Sequence, residues 1–499
     1  GNFDTTLINQ SGGYINLING SLGVQSGNGT EIVNRGKIDI AGNLTAAGGG
    51  GINHPDVINE IGDTINISMT GSFKLSSGNY NLLDNKGVIN NSNLLKISGA
   101  GGGNSVFSVN NYSSGTINHF KGIFEVSGGD GIKIRNAGKV NLYDNTTIQF
   151  SPSGLLSNLF GATINHFGGL LEMRNYTANP AFDNLGQYTG GPNSSIFISF
   201  GDGIGLNNAG SFTDSAGCAL TLQFIGPNRE LIKNSGILFN DCQTSISNVG
   251  DIGINNTTTG IYKQNLGKIS WSGISKDVIK NDNYLYIDAP IVQSGGGAGG
   301  FIINNSDTVI TGVHDTIRSQ FTTKFINNAA TGYFDNSGHW RFVNGSWPIT
   351  NAGTFIMRTP SSMKGQQVTG PIVNNTGRFF NYGNIEYRQY STDMIANTDY
   401  FINTGSITSS LFGGSLFNSD TFINQGIIDL DTAGIGLSNQ AFFLNDTNGK
   451  IFADFMQTGV NNLVGGNFNN LGEIWIARDT GIGNNGIRNN GIFNNFHLI

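Results

Sequence analysis

Charge is scarce in this sequence. Lys, Arg, Asp and Glu together make up 12% of its 499 residues, about half the ~25% usual in globular proteins. Prolines number 9 and cysteines 2. So few cysteines exclude a disulfide-stapled scaffold and a cysteine-rich zinc site. Low charge combined with 33 Phe and 14 Tyr excludes a disordered chain, which needs high charge and few aromatics. The 26 basic residues form no run and are outnumbered by 33 acidic ones, for a net charge of -7. That disfavours nucleic acid as a partner, because phosphate binding needs clustered Lys and Arg. No run of 18 apolar residues occurs, so no transmembrane helix and no membrane insertion are expected. Gly1-Asn2-Phe3-Asp4 has neither the basic nor the apolar region of a signal peptide. It begins in mid-pattern, so the chain reads as a processed protein or a fragment.

What the sequence does have is turn chemistry: 75 Gly and 69 Asn. Both residues tolerate positive φ and build tight corners. Interspersed with β-branched and aromatic residues, they spell many short strands with many corners. A block recurs in the order apolar, any, Asn, any, Gly, any, apolar, any, apolar. Copies are Ile32-Val33-Asn34-Arg35-Gly36-Lys37-Ile38-Asp39-Ile40 and Phe422-Ile423-Asn424-Gln425-Gly426-Ile427-Ile428-Asp429-Leu430. The anchor Asn falls at 9, 34, 59, 85, 111, 136, 158, 184, 208 and 234, then at 281, 304, 327, 351, 375, 403, 424, 445, 470 and 490. Steps run from 20 to 28 residues, the length of one solenoid coil. Helical repeats are excluded, because no window has helical spacing.

This spacing predicts an all-β, right-handed parallel β-solenoid of roughly 20 coils at roughly 24 residues each, about 100 Å long. It would be one continuous solenoid over residues 1–499. Register is disturbed around 235–300, where 248 and 265 are both candidate anchors and an insertion or reshaped coil is expected. Stacked anchors such as Asn34, Asn59, Asn85, Asn136, Asn208, Asn234, Asn403 and Asn424 would form an amide ladder. A column of Asp would repel itself, which explains the choice of Asn. Glycine runs at 48–51, 101–103 and 295–297 follow their anchors by 14 to 16 residues, so they fall at a common corner.

Candidate chemistry is thin. Acidic residues are scattered rather than gathered as general acid and base. Asn397-Thr398-Asp399 is similar to one piece of the polygalacturonase signature, but that family's companion motifs are absent. His119 and His166 sit in matching segments, Thr116-Ile117-Asn118-His119-Phe120 and Thr163-Ile164-Asn165-His166-Phe167. They are two coils apart, too far to share a metal, and read as echoed surface residues. Gly128-Gly129-Asp130-Gly131 and Gly201-Asp202-Gly203 only partly match calcium-binding β-roll repeats. Cys218 and Cys242 are 24 residues apart, one coil length. Stacking would bring them within disulfide range, or leave two free thiols in a core column. Trp340 and Trp347 lie among Phe334, His339, Arg341 and Phe342. Exposed, they would suit stacking on sugar rings; buried, they would be ordinary packing. No catalytic residue, cofactor or metal is expected.

In repeat style, for example Phe401-Ile402-Asn403-Thr404-Gly405-Ser406-Ile407, the chain resembles the β-solenoid regions of large bacterial cell-surface adhesins and extracellular fibre proteins, Bacteroidota-like in character. Asp63-Thr64-Ile65, Asp307-Thr308-Val309 and Asp315-Thr316-Ile317 are similar to the O-glycosylation acceptor motif of that phylum. The resemblance implies a secreted or cell-surface structural protein: a fibre, sheath or adhesin stalk. Its partners would be copies of itself end to end, the rest of a longer chain, or surface glycans. Apolar strand residues reach both termini, which invites such end-on pairing. The alternatives are a glycan-binding adhesin, or a polysaccharide-degrading enzyme or phage tailspike on the same fold.

Overall fold

A computed structural model describes residues 5–26, 29–48, 54–78, 81–100, 107–128, 131–151, 154–174, 180–199, 201, 203–226, 230–249, 251–295, 299–320, 324–344, 348–368, 370–388, 393–410, 415–431, 434–454, 457–476 and 485–497. Every regular element among them is a β-strand. The chain forms two compact units. One comprises Gly1–Asp251 with Gly260–Tyr262, the other Ile252–Thr259 with Lys263–Ile499.

Within each unit the chain winds into stacked parallel coils of about 24 residues per turn, mostly of three strands; the second and third are continuous in Thr163–Arg174 and Gln187–Ser199. The coil Ile32–Asn34, Lys37–Ile40 and Asn43–Gly48 is typical. Its strands pair in register with Val57–Asn59, Thr64–Ile67 and Ser72–Gly78 of the next coil. The alternation expected after the glycine is what buries the core. Lys37–Ile40 and Thr64–Ile67 place Ile38, Ile40, Ile65 and Ile67 inside, while Lys37, Asp39, Thr64 and Asn66 face out. A single-residue slip would turn the whole apolar set outward, so register is strongly specified.

The corners explain the glycines. A Cβ on Gly36 would overlap the Gly13 carbonyl oxygen of the preceding coil, and one on Gly405 would overlap that of Gly383. Stacked backbones at both corners, the first at Gly36 and the second at Gly405, leave no room for a side chain. Gly48 ends the third strand Asn43–Gly48 and Gly295 follows the third strand Ile291–Gln293, so both lie near the predicted common corner. The rest of those glycine runs, and the run at 101–103, lie outside the described residues. In the stretch expected to hold an insertion or a reshaped coil, the strands include Ile252–Asn256, Ile261–Gln264 and Lys268–Ile274.

Candidate functional site

The interior of each unit is organised by side-chain amides. In the first unit Asn34 Nδ2 donates to Asn59 Oδ1 at 2.8 Å, and Asn59 to Asn85 at 2.9 Å. Asn111, Asn136, Asn158, Asn184, Asn208 and Asn234 continue the same column. Each amide is buried at the end of a first strand. Besides its ladder bond, Asn34 Nδ2 donates to the carbonyls of Gly36 and Thr64, and its Oδ1 accepts from the Gly36 amide. An amide alone among short side chains offers both donors and an acceptor. Asp would lack the donors and Ser the reach, so the column requires Asn.

In the second unit the column runs Asn256, Asn281, Asn305, Asn328, Asn351, Asn375, Asn397, Asn418, Asn439, Asn462 and Asn489. This corrects several anchors. Asn256 belongs to the column although Thr257-Thr258-Thr259 separates it from Gly260. Asn304 and Asn327 point outward, where Asn327 donates to Asn304 at 2.9 Å; their neighbours Asn305 and Asn328 occupy the ladder. Asn489, not Asn490, closes it.

The larger correction concerns Asn403 and Asn424. They do not share the first-corner column of Asn351, Asn375, Asn397 and Asn418. They belong to a second ladder at the ends of the second strands, the buried Asn381, Asn403, Asn424, Asn445 and Asn470 and the exposed Asn495, linked at 2.7–2.8 Å. Here the Asn-x-Gly block has moved to the next corner. The first corner keeps its Asn but loses its glycine, as in Asn397-Thr398-Asp399. That tripeptide is therefore a ladder corner in this fold.

Cys218 and Cys242 form a disulfide between adjacent coils, with Cα atoms 4.8 Å apart. Trp340 is buried, which removes it from any sugar-stacking surface. Its ring packs edge-on against Phe334 and Phe355, and its Nε1 donates to Asp315 Oδ2 at 2.9 Å. Trp340 falls on the inward phase of its strand, at the position paired with Ile317 and Met363. Trp347, Asp130 and Asp202 lie outside the described residues. His119 and His166 are likewise buried rather than superficial. They share one column with Leu142 between them. Burial lowers both to about 4, so they are neutral imidazoles. His166 Nδ1 lies 2.8 Å from the Tyr188 hydroxyl.

Among the buried carboxyls, Asp56 and Asp214 were not singled out by sequence, and Asp315 only as part of Asp315-Thr316-Ile317. Asp315 is pushed up to about 8 by burial, against the lowering pull of the Trp340 hydrogen bond. Asp214 is pushed up to about 7 by burial. Asp56 is pushed up to about 8 by burial and then by the charge of Glu31 beside it. On the surface, in-register stacking gathers acidic residues that look scattered in the chain. Asp429, Asp431 and Asp454 line an open groove with Glu386 and Arg388. Burial, then Asp454 and Asp431, raise Asp429. Glu386 is paired with Lys364 at 2.6 Å and Arg388 at 2.7 Å, and the Lys364 hydrogen bond lowers it.

No protein-family model matches this chain, and no curated protein matches it.

Proposed function

We propose that this chain is an extracellular structural protein, a β-solenoid segment of a bacterial surface fibre, sheath or adhesin stalk. The observation that carries this reading is the unbroken, fully bonded Asn column inside each unit. Parallel coils tied by both backbone ladders and buried amides resist bending and local opening. Most of the buried chemistry is spent on coil-to-coil contacts. The Cys218–Cys242 disulfide accords with an oxidising setting outside the cell. Electron microscopy of the native assembly tests it. Filaments or stalks containing the chain are expected; free, compact monomers would contradict it.

A second reading, cleavage or binding of polysaccharide, is favoured by the groove of Asp429, Asp431 and Asp454. A raised carboxyl beside an ionised one is the pairing that glycosidic chemistry uses. The ion pairs that hold Glu386 weigh against it. Incubation with a polysaccharide panel, comparing wild type with Asp429→Asn, decides: turnover lost in the variant would favour the enzyme, and absence of turnover in both the structural protein.

A further inference from the structure

Asp214 is a buried acidic residue of the first unit. Asp214 ends the strand Ser211–Asp214, and its side chain turns inward. It is 4% exposed, and its Oδ1 has no hydrogen-bond partner. Room for it exists because the paired residue in the preceding coil is Gly190, where a Cβ would overlap that same oxygen. A buried, unpartnered carboxylate oxygen is costly and calls for a physical reason.

Its neighbours suggest one. Cys218 and Cys242 stand immediately before the paired third-strand residues Ala219 and Gln243, so the two sulfurs are stacked in register. A ligand oxygen of Asp214 and both Sγ atoms all lie within 4.8 Å of one another. Two thiolates on one tetrahedral cation sit roughly 3.8 Å apart, given metal–sulfur bonds of about 2.3 Å. In-register residues one strand spacing apart, about 4.8 Å, reach that separation without moving the backbone.

We propose that the reduced chain holds a zinc-type divalent cation between the Cys218 and Cys242 thiolates and the Asp214 carboxylate, and that the disulfide is the closed, metal-free form of this site. Two soft thiolates and one carboxylate select such a cation over calcium or magnesium, and three ligands leave a fourth position for water. A dithiol reductant supplies two electrons and two protons. The Cys218–Cys242 bond breaks, both sulfurs become thiols, and the reductant closes its own disulfide. Cation binding then releases both thiol protons to solvent. An oxidising compartment favours the closed form and a reducing one the open form.

Cobalt(II) titration of the full chain tests this, with one sample folded under a phosphine reductant and one oxidised. The reduced chain is expected to bind one equivalent, develop a thiolate-to-cobalt charge-transfer band, and lose it on adding zinc. The oxidised chain is expected to show no band. Asp214→Asn, checked for its β-sheet circular dichroism, is expected to weaken binding at least about tenfold. A reduced wild-type chain without the band would overturn the site, as would a band of equal strength in the oxidised chain. An unchanged affinity in folded Asp214→Asn would remove the carboxylate from it. Should that variant not fold, the reduced and oxidised wild-type samples still decide.

Discussion

The two units solve one packing problem differently. In the first, the inward column of the second strands is aliphatic from Ile38 through Ile65, Ile89, Ile117 and Val140 to Ile164, and then passes to the stacked rings of Tyr188 and Phe212 and to Leu238. In the second it becomes a ladder of Phe334, Phe355, Phe379, Phe401, Phe422, Phe443, Phe468 and Phe493, with ring centroids 4.7–5.0 Å apart and planes within 12°. The residue two places on follows suit. Ile40, Ile67, Asn91, His119, Leu142 and His166 mix types in the first unit, whereas Asn381 to Asn495 form the second amide ladder. Coil length varies along the ladder as well. Ladder neighbours are 25 or 26 residues apart from Asn9 to Asn136, but 21 from Asn397 to Asn439. A tight Asn-x-Gly second corner removes residues that the looser corner, such as Ser68 to Gly71, requires.

The outer faces differ as well. Asn66, Asn90, Asn118, Asn141 and Asn165 form a surface ladder in the first unit. Each donates to the preceding coil, opposite to the buried column, and the ladder ends on the Asp39 carboxylate. Asp39 is the fitting terminus because a carboxylate only accepts. The corresponding face of the second unit carries half-buried Ile356, Phe380, Ile402, Ile423 and Leu444. The first-corner Asn column is common to both units, while the second-strand columns differ between them.

The sharpest way to break this comparison is to remove a ring. Phe401→Ala leaves a cavity between Phe379 and Phe422, and a loss of about 3–5 kcal/mol is expected, read as lost hydrogen-exchange protection in the flanking coils. Ile117→Val in the first unit should cost about 1 kcal/mol by the same readout. Cys218→Ala/Cys242→Ala opens the covalent link between two coils. A loss of about 3 kcal/mol is expected for a loop of this length, seen as a lower denaturant midpoint than the oxidised wild type.

Asn136→Asp keeps shape but removes the donor to Asn158 Oδ1 and adds a buried charge. A loss of about 1–3 kcal/mol is expected. The surface counterpart Asn118→Asp should cost under about 1 kcal/mol, because water solvates the new charge. Equal costs would erase the distinction between buried and surface ladders.

Titration sharpens it further. Asp315 is raised above its unfolded value, so it favours the folded state below about pH 4. That contribution falls as pH rises towards about 8. His119 and His166 are lowered, so their contribution is present above the unfolded value and lost as pH falls towards about 4. Asp315→Asn should therefore flatten the decline between pH 4 and 8 by up to about 1.4 kcal/mol per pH unit, measured as the difference in unfolding midpoint from wild type. An unchanged slope would mean Asp315 is ionised in the folded chain.

The repeat and the parallel fold were legible because Asn and Gly are demanded by corner geometry at a steady spacing, and Cys218 and Cys242 were legible by the same spacing. The switch of corner at Asn397 was not, because Asn403-Thr404-Gly405 reproduces the local pattern one strand later. Asn304 and Asn305 differ only in the phase of a three-residue strand, which a pair of identical residues conceals. The burial of Trp340 also depended on phase, readable from its partners in adjacent coils rather than from its aromatic neighbours. Asp214 and the groove of Asp429, Asp431 and Asp454 are products of stacking, which joins residues a coil apart.

Buried, in-register Asn amides run through each unit. Side-chain amide hydrogen exchange on the chain labelled with nitrogen-15 asparagine tests this most directly. Asn34, Asn136, Asn351 and Asn403 are predicted to exchange orders of magnitude more slowly than exposed Asn494. Exchange of all of them at the rate of Asn494 would contradict the ladder.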